Sequence, residues 1–176
     1  MQRTGQSASR PTPAAERPHM PEYGVGTPAW QPLPWEWAVE RLVANRNYWV
    51  VTVAASGRPH SMPVWGVWDA AVERFAFSCG HRSRKARNIT ANPAVVVTGS
   101  DTVECVSVEG TAAVLPEGDQ RRERWIARYV EKYEPGSEAM AEFVSGHLVI
   151  EVEPVLAFGI IEREDEFSTR ATRWRF

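Results

Sequence analysis

The segment from Val103 to Leu115 has the clearest alternation of apolar and polar residues in the chain. The apolar residues on one side of it are Val106, Val108, Ala112 and Val114. Because successive side chains of a strand point to opposite faces, this period of two predicts one long strand with one buried face. Gly110 interrupts the pattern, and we expect the strand to bend there as it follows the curve of a barrel.

Six further segments have strand character, and short turn signals separate most of them. They are Tyr48–Ala55, Pro59–Asp69, Val72–Ser78, Ala94–Gly99, His147–Glu153 and Val155–Ile161. Helical spacing is found at residues 34–43, 83–91, 116–134 and 137–144. Strands in this order, with few helices between them, predict a mainly β fold: an antiparallel barrel of six to seven strands with flanking helices. No GxGxxG or GxxxxGK[ST] motif follows a strand, which excludes the two commonest nucleotide-binding folds.

Length and composition indicate one folded domain. The chain has 176 residues, of which 43% are hydrophobic and 24% charged, as is usual for globular proteins. Because seven of the 13 prolines fall at or before Pro34, we expect residues 1–33 to form a flexible or draped arm and residues 34–176 the barrel domain. No apolar run is long enough to span a bilayer, and the first residues lack a signal-peptide pattern. We therefore expect a soluble cytoplasmic protein without membrane contact.

A basic cluster interrupts this slightly acidic chain: Arg82, Arg84, Lys85 and Arg87 lie within six positions, whereas the formal net charge is −2. If Ser83 caps a helix here, cations occupy a helix start, where acidic side chains are normally preferred. That inversion suits a bound anion such as phosphate, while Arg87, one turn further on, is expected to face solvent. Charge alone leaves two alternatives, a solvated basic surface and a nucleic-acid patch, and the pI of about 6.1 disfavours the second.

The segment FAFSCGHRSRKARNITANPAVVV resembles the pyridoxamine 5′-phosphate oxidase-like split β-barrels. In that family an aromatic strand precedes a Ser-Arg/Lys-Lys element, a short helix, an Asn-Pro pair and a Val-rich strand. The resemblance extends back through VVTVAASGRPHSMPVWGVWD and forward through VEGTAAVL, and it covers most of residues 35–161. It implies a homodimer whose interface holds a flavin ring. The implied phosphate contacts are Ser83, Arg84 and Lys85, with Arg82 beside them. The residues implied to border the ring are Arg58, Pro63, Val64, Phe77, Ser78 and Cys79.

The end of the chain departs from true pyridoxamine phosphate oxidases. Those enzymes recognise the substrate phosphate partly through an Arg-x-His element, whereas this sequence closes with Arg173-Trp174-Arg175-Phe176. The length, the Trp-rich strands and the Thr-Arg-Trp ending are similar to the branch that uses the deazaflavin coenzyme F420. The resemblance therefore implies coenzyme F420 as the cofactor, with FMN as the alternative.

The implied activity is that of an F420H2-dependent oxidoreductase, which transfers hydride to a small organic acceptor such as an activated C=C bond. The sequence assigns no catalytic residue and no metal site, which suits a cofactor that carries its own chemistry. The residues assigned to the substrate pocket are His60, Trp65, Arg173 and Trp174. Two alternatives stay open: an FMN-binding flavin oxidoreductase and a non-catalytic split barrel that binds flavin or haem.

Overall fold

The strands form one antiparallel sheet that closes into a barrel. The computed structural model describes residues 12–25 and 29–176. Its strands are β1 (Ala14–Glu16), β2 (Asn47–Val53), β3 (Pro59–Asp69), β4 (Arg74–Cys79), β5 (Ala94–Thr98), β6 (Glu104–Leu115), β7 (Leu148–Ile161) and β8 (Thr172–Arg175). The sheet order is β1-β8-β7-β4-β3-β2-β5-β6, and β6 also pairs with β7. The six strands from β2 to β7 therefore form a closed ring, and the predicted antiparallel barrel is confirmed.

Five α-helices accompany the barrel in the described ranges. They are α1 (Trp35–Ala44), α2 (Arg84–Ala91), α3 (Gln120–Tyr133), α4 (Glu138–Ser145) and α5 (Phe167–Arg170). The first four correspond to the helices predicted from the sequence. None of the helices in residues 12–25 and 29–176 is long and apolar enough to cross a membrane.

The long bent strand predicted at residues 103–115 is β6. It pairs with β7 along its whole length, with a register shift between Glu109 and Gly110. Gly110 stands opposite Pro154, which has no N–H for the ladder. Because the register shift in β6 lies opposite Pro154, β7 continues past the proline as one strand. The sequence prediction of two separate strands, at residues 147–153 and 155–161, was therefore wrong.

Replacing Gly110 with alanine is expected to lower the free energy of unfolding by about 1–2 kcal/mol through overpacking. A Cβ atom there would lie 2.5 Å from the carbonyl oxygen of Glu153 and 2.8 Å from Cγ1 of Val152. The oxygen belongs to the partner strand and has little room to move. Urea unfolding measures the effect, with Gly80→Ala as the control because nothing lies within 4 Å of that Cβ position. Equal stability of the two variants would contradict this expectation.

Two apolar clusters stabilise the fold. The larger one lies inside the barrel and contains Trp35, Trp68 and Trp174, whose rings meet edge to face at centroid distances of 5.9 Å (Trp35–Trp68) and 5.3 Å (Trp35–Trp174). The second lies outside it, where Trp125 and Tyr129 of α3 pack against β3, β4 and β7. Helices α3 and α4 therefore cover one outer face of the barrel.

The N-terminal residues contain more regular structure than their prolines suggested. Strand β1 pairs with β8, and the carboxylate of Glu16 binds Arg173 at 2.8 Å and Arg175 at 3.2 Å. Pro21–Tyr23 forms a single 3-10 turn. Residues 1–11 and 26–28 of the predicted arm lie outside the described residues. Strand β8 was not predicted, because four residues contain too few alternations of apolar and polar side chains to be recognised as a strand.

Candidate functional site

The basic cluster lies at the start of α2, as the sequence predicted. Ser83 is the N-cap: its Oγ accepts a hydrogen bond from the Ala86 amide at 3.2 Å and donates one to Cys79 Sγ at 3.3 Å. The amides of Arg84 and Lys85 stand in the first turn, where no intrahelical acceptor is available. No acidic residue occupies this turn. The helix start therefore combines cationic side chains with open backbone donors.

A cleft of about 290 Å³ opens beside this helix, against the hairpin that joins β2 to β3. Its polar lining includes Arg58, His60 and Arg84, three residues that the sequence placed in the candidate site. Ser56 of the hairpin and two residues from the next turn of the helix, Arg87 and Asn88, also belong to this polar lining. Asn88 Nδ2 donates to the Thr52 hydroxyl at 2.9 Å, and this bond holds α2 against β2.

The cleft carries an excess of positive charge. Within residues 12–25 and 29–176, no carboxylate forms an ion pair with Arg58, Arg84 or Arg87. Arg87 Nη1 donates to the carbonyl of Arg82 at 2.6 Å, which leaves its charge uncompensated. The Nδ1 atom of His60 is buried and has no hydrogen-bond partner in the described part of the chain. The arrangement favours an anionic ligand that accepts several hydrogen bonds.

The position of Arg87 differs from the sequence prediction. It was expected only to face solvent, but it is exposed and also lines the cleft. The sequence contained a signal for this position of Arg87, because Arg84 and Arg87 are three residues apart and therefore share one helix face. Arg82 and Lys85 do not line the cleft; Arg82 is exposed and Lys85 is half-buried.

Five of the six residues assigned to the ring lie on β3 and β4, on either side of a gap between these strands. Arg58 lies instead in the hairpin before β3 and lines the α2 cleft. The ladder between β3 and β4 ends at the pair Gly66 and Phe77. Beyond it, the Tyr129 hydroxyl donates to the Trp65 carbonyl at 2.5 Å and accepts from the Ser78 amide at 2.9 Å. Burial raises the pKa of Tyr129 well above its usual value, so the hydroxyl stays protonated. A helix side chain thus replaces a strand-to-strand hydrogen bond at this gap.

Three of the six residues assigned to the ring have side chains in the core. Phe77 is fully buried, and Val64 and Cys79 are nearly so, whereas Pro63 is exposed. The hydroxyl oxygen of Ser78 is buried and has no hydrogen-bond partner among the described residues. At this gap the chain therefore presents mainly backbone, the Pro63 ring and one unsatisfied hydroxyl.

The structure does not bring the four residues of the predicted substrate pocket together. Trp65 is 40% exposed and stacks on Tyr133 with a centroid distance of 4.8 Å. Arg173 pairs with Glu16, and His60 lies in the α2 cleft. Trp174 is only 1% exposed, because β8 directs its indole over Gly159 and into the core. The structure also shows no group of metal-ligating side chains in residues 12–25 and 29–176.

Comparison with protein families gives a match over residues 36–156 to the family described as pyridoxamine 5′-phosphate oxidase. The chain belongs to this family. The matched range of this pyridoxamine 5′-phosphate oxidase family member contains α2, the β2–β3 hairpin and the gap between β3 and β4. The fold of the family binds flavins.

Solved structures share the fold at low sequence identity. An F420 reductase is 24% identical, with 67% of this chain and 93% of that chain covered and a TM-score of 0.53. The haem storage protein HutZ of Vibrio cholerae is 19% identical, with coverages of 68% and 86% and a TM-score of 0.54. The conserved hypothetical protein Rv2991 of Mycobacterium tuberculosis is 17% identical, with coverages of 71% and 82% and a TM-score of 0.61. No curated protein matches the sequence.

Proposed function

We propose that the protein is an F420H2-dependent oxidoreductase that holds the phosphate of its coenzyme in the α2 cleft. The observation that supports this most strongly is the set of three arginines without carboxylate partners around a helix start. Phosphate groups suit such a site, because they accept charge-assisted hydrogen bonds from guanidinium groups and from helix N–H groups together. The departure of the C-terminal residues from the Arg-x-His pattern disfavours pyridoxamine phosphate as the substrate, whereas the similarity of the Thr-Arg-Trp ending to the F420-using branch favours F420 over FMN.

The residues present fit such a coenzyme. Arg58, Arg84 and Arg87 would hold the phosphate, together with the amides at the start of α2. His60 Nδ1 and Ser78 Oγ are buried atoms that still lack a partner in the described residues, and a polar coenzyme would supply one. When bound, a reduced deazaflavin supplies a hydride to an electron-poor acceptor such as an activated C=C bond. The task of this chain is then to bind the coenzyme, orient the acceptor and exclude water.

A homodimer is part of the proposal. Trp49 on β2 and Trp65 on β3 are exposed on the outside of the barrel, where Trp65 borders α3 through its stacking on Tyr133, and Val155 on β7 is also exposed. Trp49 stands opposite Pro63, so apolar side chains adjoin across the two strands. An exposed apolar area of this kind is typical of a surface that another protein covers. A second copy of the chain on this face would border the residues assigned to the ring.

Removing a cleft arginine is expected to weaken coenzyme binding. Each charge-assisted hydrogen bond contributes about 1.5–3 kcal/mol, so Arg84→Ala and Arg87→Ala should each raise the Kd for F420 by about 10–100-fold. Titration of the purified protein with F420, and separately with FMN, measures the change. Arg175→Ala on β8 is the control, because it removes an arginine that pairs with Glu16 instead of lining the cleft.

The same titrations separate the alternatives. Unchanged affinity in both cleft variants would contradict the phosphate assignment. Tighter binding of FMN than of F420 would make the protein an FMN-dependent oxidoreductase. Binding of F420 without turnover of reduced F420 against a panel of enones and quinones would identify a non-catalytic binding protein.

A further inference from the structure

A second cavity, of about 510 Å³, lies between the end of α1, the turn after β3 and α3. It shares no lining residue with the α2 cleft. Its apolar wall includes Val43, Val67, Ala70 and Ala71. The volume lies within the range of about 300–1,000 Å³ that is usual for small-molecule sites. The cavity is therefore large enough for a ligand of its own.

Lys132 of α3 lines this cavity and lacks a counter-ion. Its Nζ donates to the Tyr48 hydroxyl at 2.7 Å and to the Gly66 carbonyl at 3.0 Å, and it lies 4.7 Å from the centroid of the Tyr48 ring. These partners are neutral, and no carboxylate of residues 12–25 and 29–176 pairs with Lys132. An ammonium group has three N–H donors, so one of them remains for a ligand.

The other charged groups of the cavity compensate one another. Asp69 is bound by Arg124 at 2.6 Å and by Arg128 at 3.3 Å, and Arg128 also binds Glu131 at 2.9 Å. Two carboxylates are thus offset by two guanidinium groups. Lys132 alone contributes an unpaired charge to the lining, which predicts a ligand with a single negative charge rather than a phosphate dianion.

A carboxylate suits the remaining N–H donor of Lys132, because its oxygens accept charge-assisted hydrogen bonds. Its hydrocarbon part suits the apolar wall.

We propose that this cavity binds a small monocarboxylic acid, with the carboxylate on Lys132 Nζ and the hydrocarbon part against Val43, Val67 and Ala71. The site is separate from the proposed coenzyme cleft, and its ligand binds with or without coenzyme.

The geometry makes binding depend on pH. Desolvation, together with the nearby charge of Arg46, lowers the pKa of Lys132 to about 8. The other groups that face this lysine are Tyr48 and Tyr133, and burial raises the pKa of both, so they stay neutral. The charged groups of the lining are Asp69, Arg128 and Glu131. Since only cationic Lys132 attracts a carboxylate, affinity should be complete below pH 8 and should fall above it, towards about tenfold per pH unit.

Calorimetric titration with hexanoate tests the proposal, with hexan-1-ol as the uncharged match. Lys132→Met keeps the length of the side chain and removes its charge, and it should weaken hexanoate binding at pH 7 by about 10–100-fold while hexanol binding stays unchanged. Ala71→Phe fills the cavity without touching Lys132 and should abolish binding of both compounds. Lys85→Met removes a lysine near the coenzyme cleft and should change neither affinity.

Several results would overturn the proposal. The proposal fails if the wild type does not bind hexanoate at pH 7, or if the wild type and Lys132→Met bind it with equal affinity. It also fails if the wild type binds hexanoate and hexan-1-ol equally well, or if its affinity for hexanoate does not fall between pH 7 and pH 9.5. Loss of hexanoate binding in Lys85→Met alone would place the acid at α2 and would also overturn it. Because coenzyme is left out, these results stand apart from the F420 titrations.

Discussion

Replacing Trp174 with alanine is expected to lower the free energy of unfolding by about 3–5 kcal/mol, the usual loss for a large aromatic residue in a core. The indole is 1% exposed and meets Trp35 at a centroid distance of 5.3 Å. It also covers Gly159 closely, since a Cβ atom there would lie 2.5 Å from the Trp174 ring. Truncation therefore leaves a cavity bordered by a rigid ring and by backbone. Urea unfolding monitored by circular dichroism measures the loss.

Trp65→Ala is the matched control, because it makes the same substitution at a side chain that is 40% exposed. Its ring stacks on Tyr133 from the outside, so its removal should cost no more than about 1–1.5 kcal/mol. The sequence assigned both tryptophans to the substrate pocket, and the two variants separate a core role from a surface role. Equal losses for the two variants would contradict the core role of Trp174.

The sequence signals that succeeded were local. Thirteen residues of alternation are enough to specify β6, and a serine before about two turns of helical spacing is enough to specify α2. Strand β8 lacked such support, since it has only four residues and depends on pairing with β7 and β1. The pairing of β8 determines where the Trp174 side chain lies, so its core position could not be predicted from neighbouring residues.

The cleft shows the same limit within the candidate site. Arg84 and Ser83 were predicted from the helix start, which is a local property. The approach of Arg58 and His60 to that helix requires the β2–β3 hairpin to fold against it, which no local pattern shows. The family resemblance implied Arg58 only at the flavin ring, and His60 was assigned to the substrate pocket. The charge balance around Lys132 involves α1, β2, β3 and α3, so no single segment contained that signal.

Tyr129→Phe is expected to lower the free energy of unfolding by about 2–3 kcal/mol. The variant keeps the ring in the core and removes one oxygen, which leaves the Trp65 carbonyl and the Ser78 amide without their shared partner. A part-buried backbone group that loses its only partner costs about 1–3 kcal/mol. Tyr23→Phe is the control, because Tyr23 is 63% exposed and its change should be within about 0.5 kcal/mol of zero.

Hydrogen exchange at the Ser78 amide distinguishes the hydroxyl's role from general weakening. Since this amide donates to Tyr129, its protection should fall further in Tyr129→Phe than that of the Phe75 amide, which lies on β4 within the intact β3–β4 ladder. A uniform decrease along β4 would instead show a global loss of stability. If Ser78 keeps its protection, the gap closes without the hydroxyl, and β3 and β4 hold their positions at the candidate ring site by packing alone.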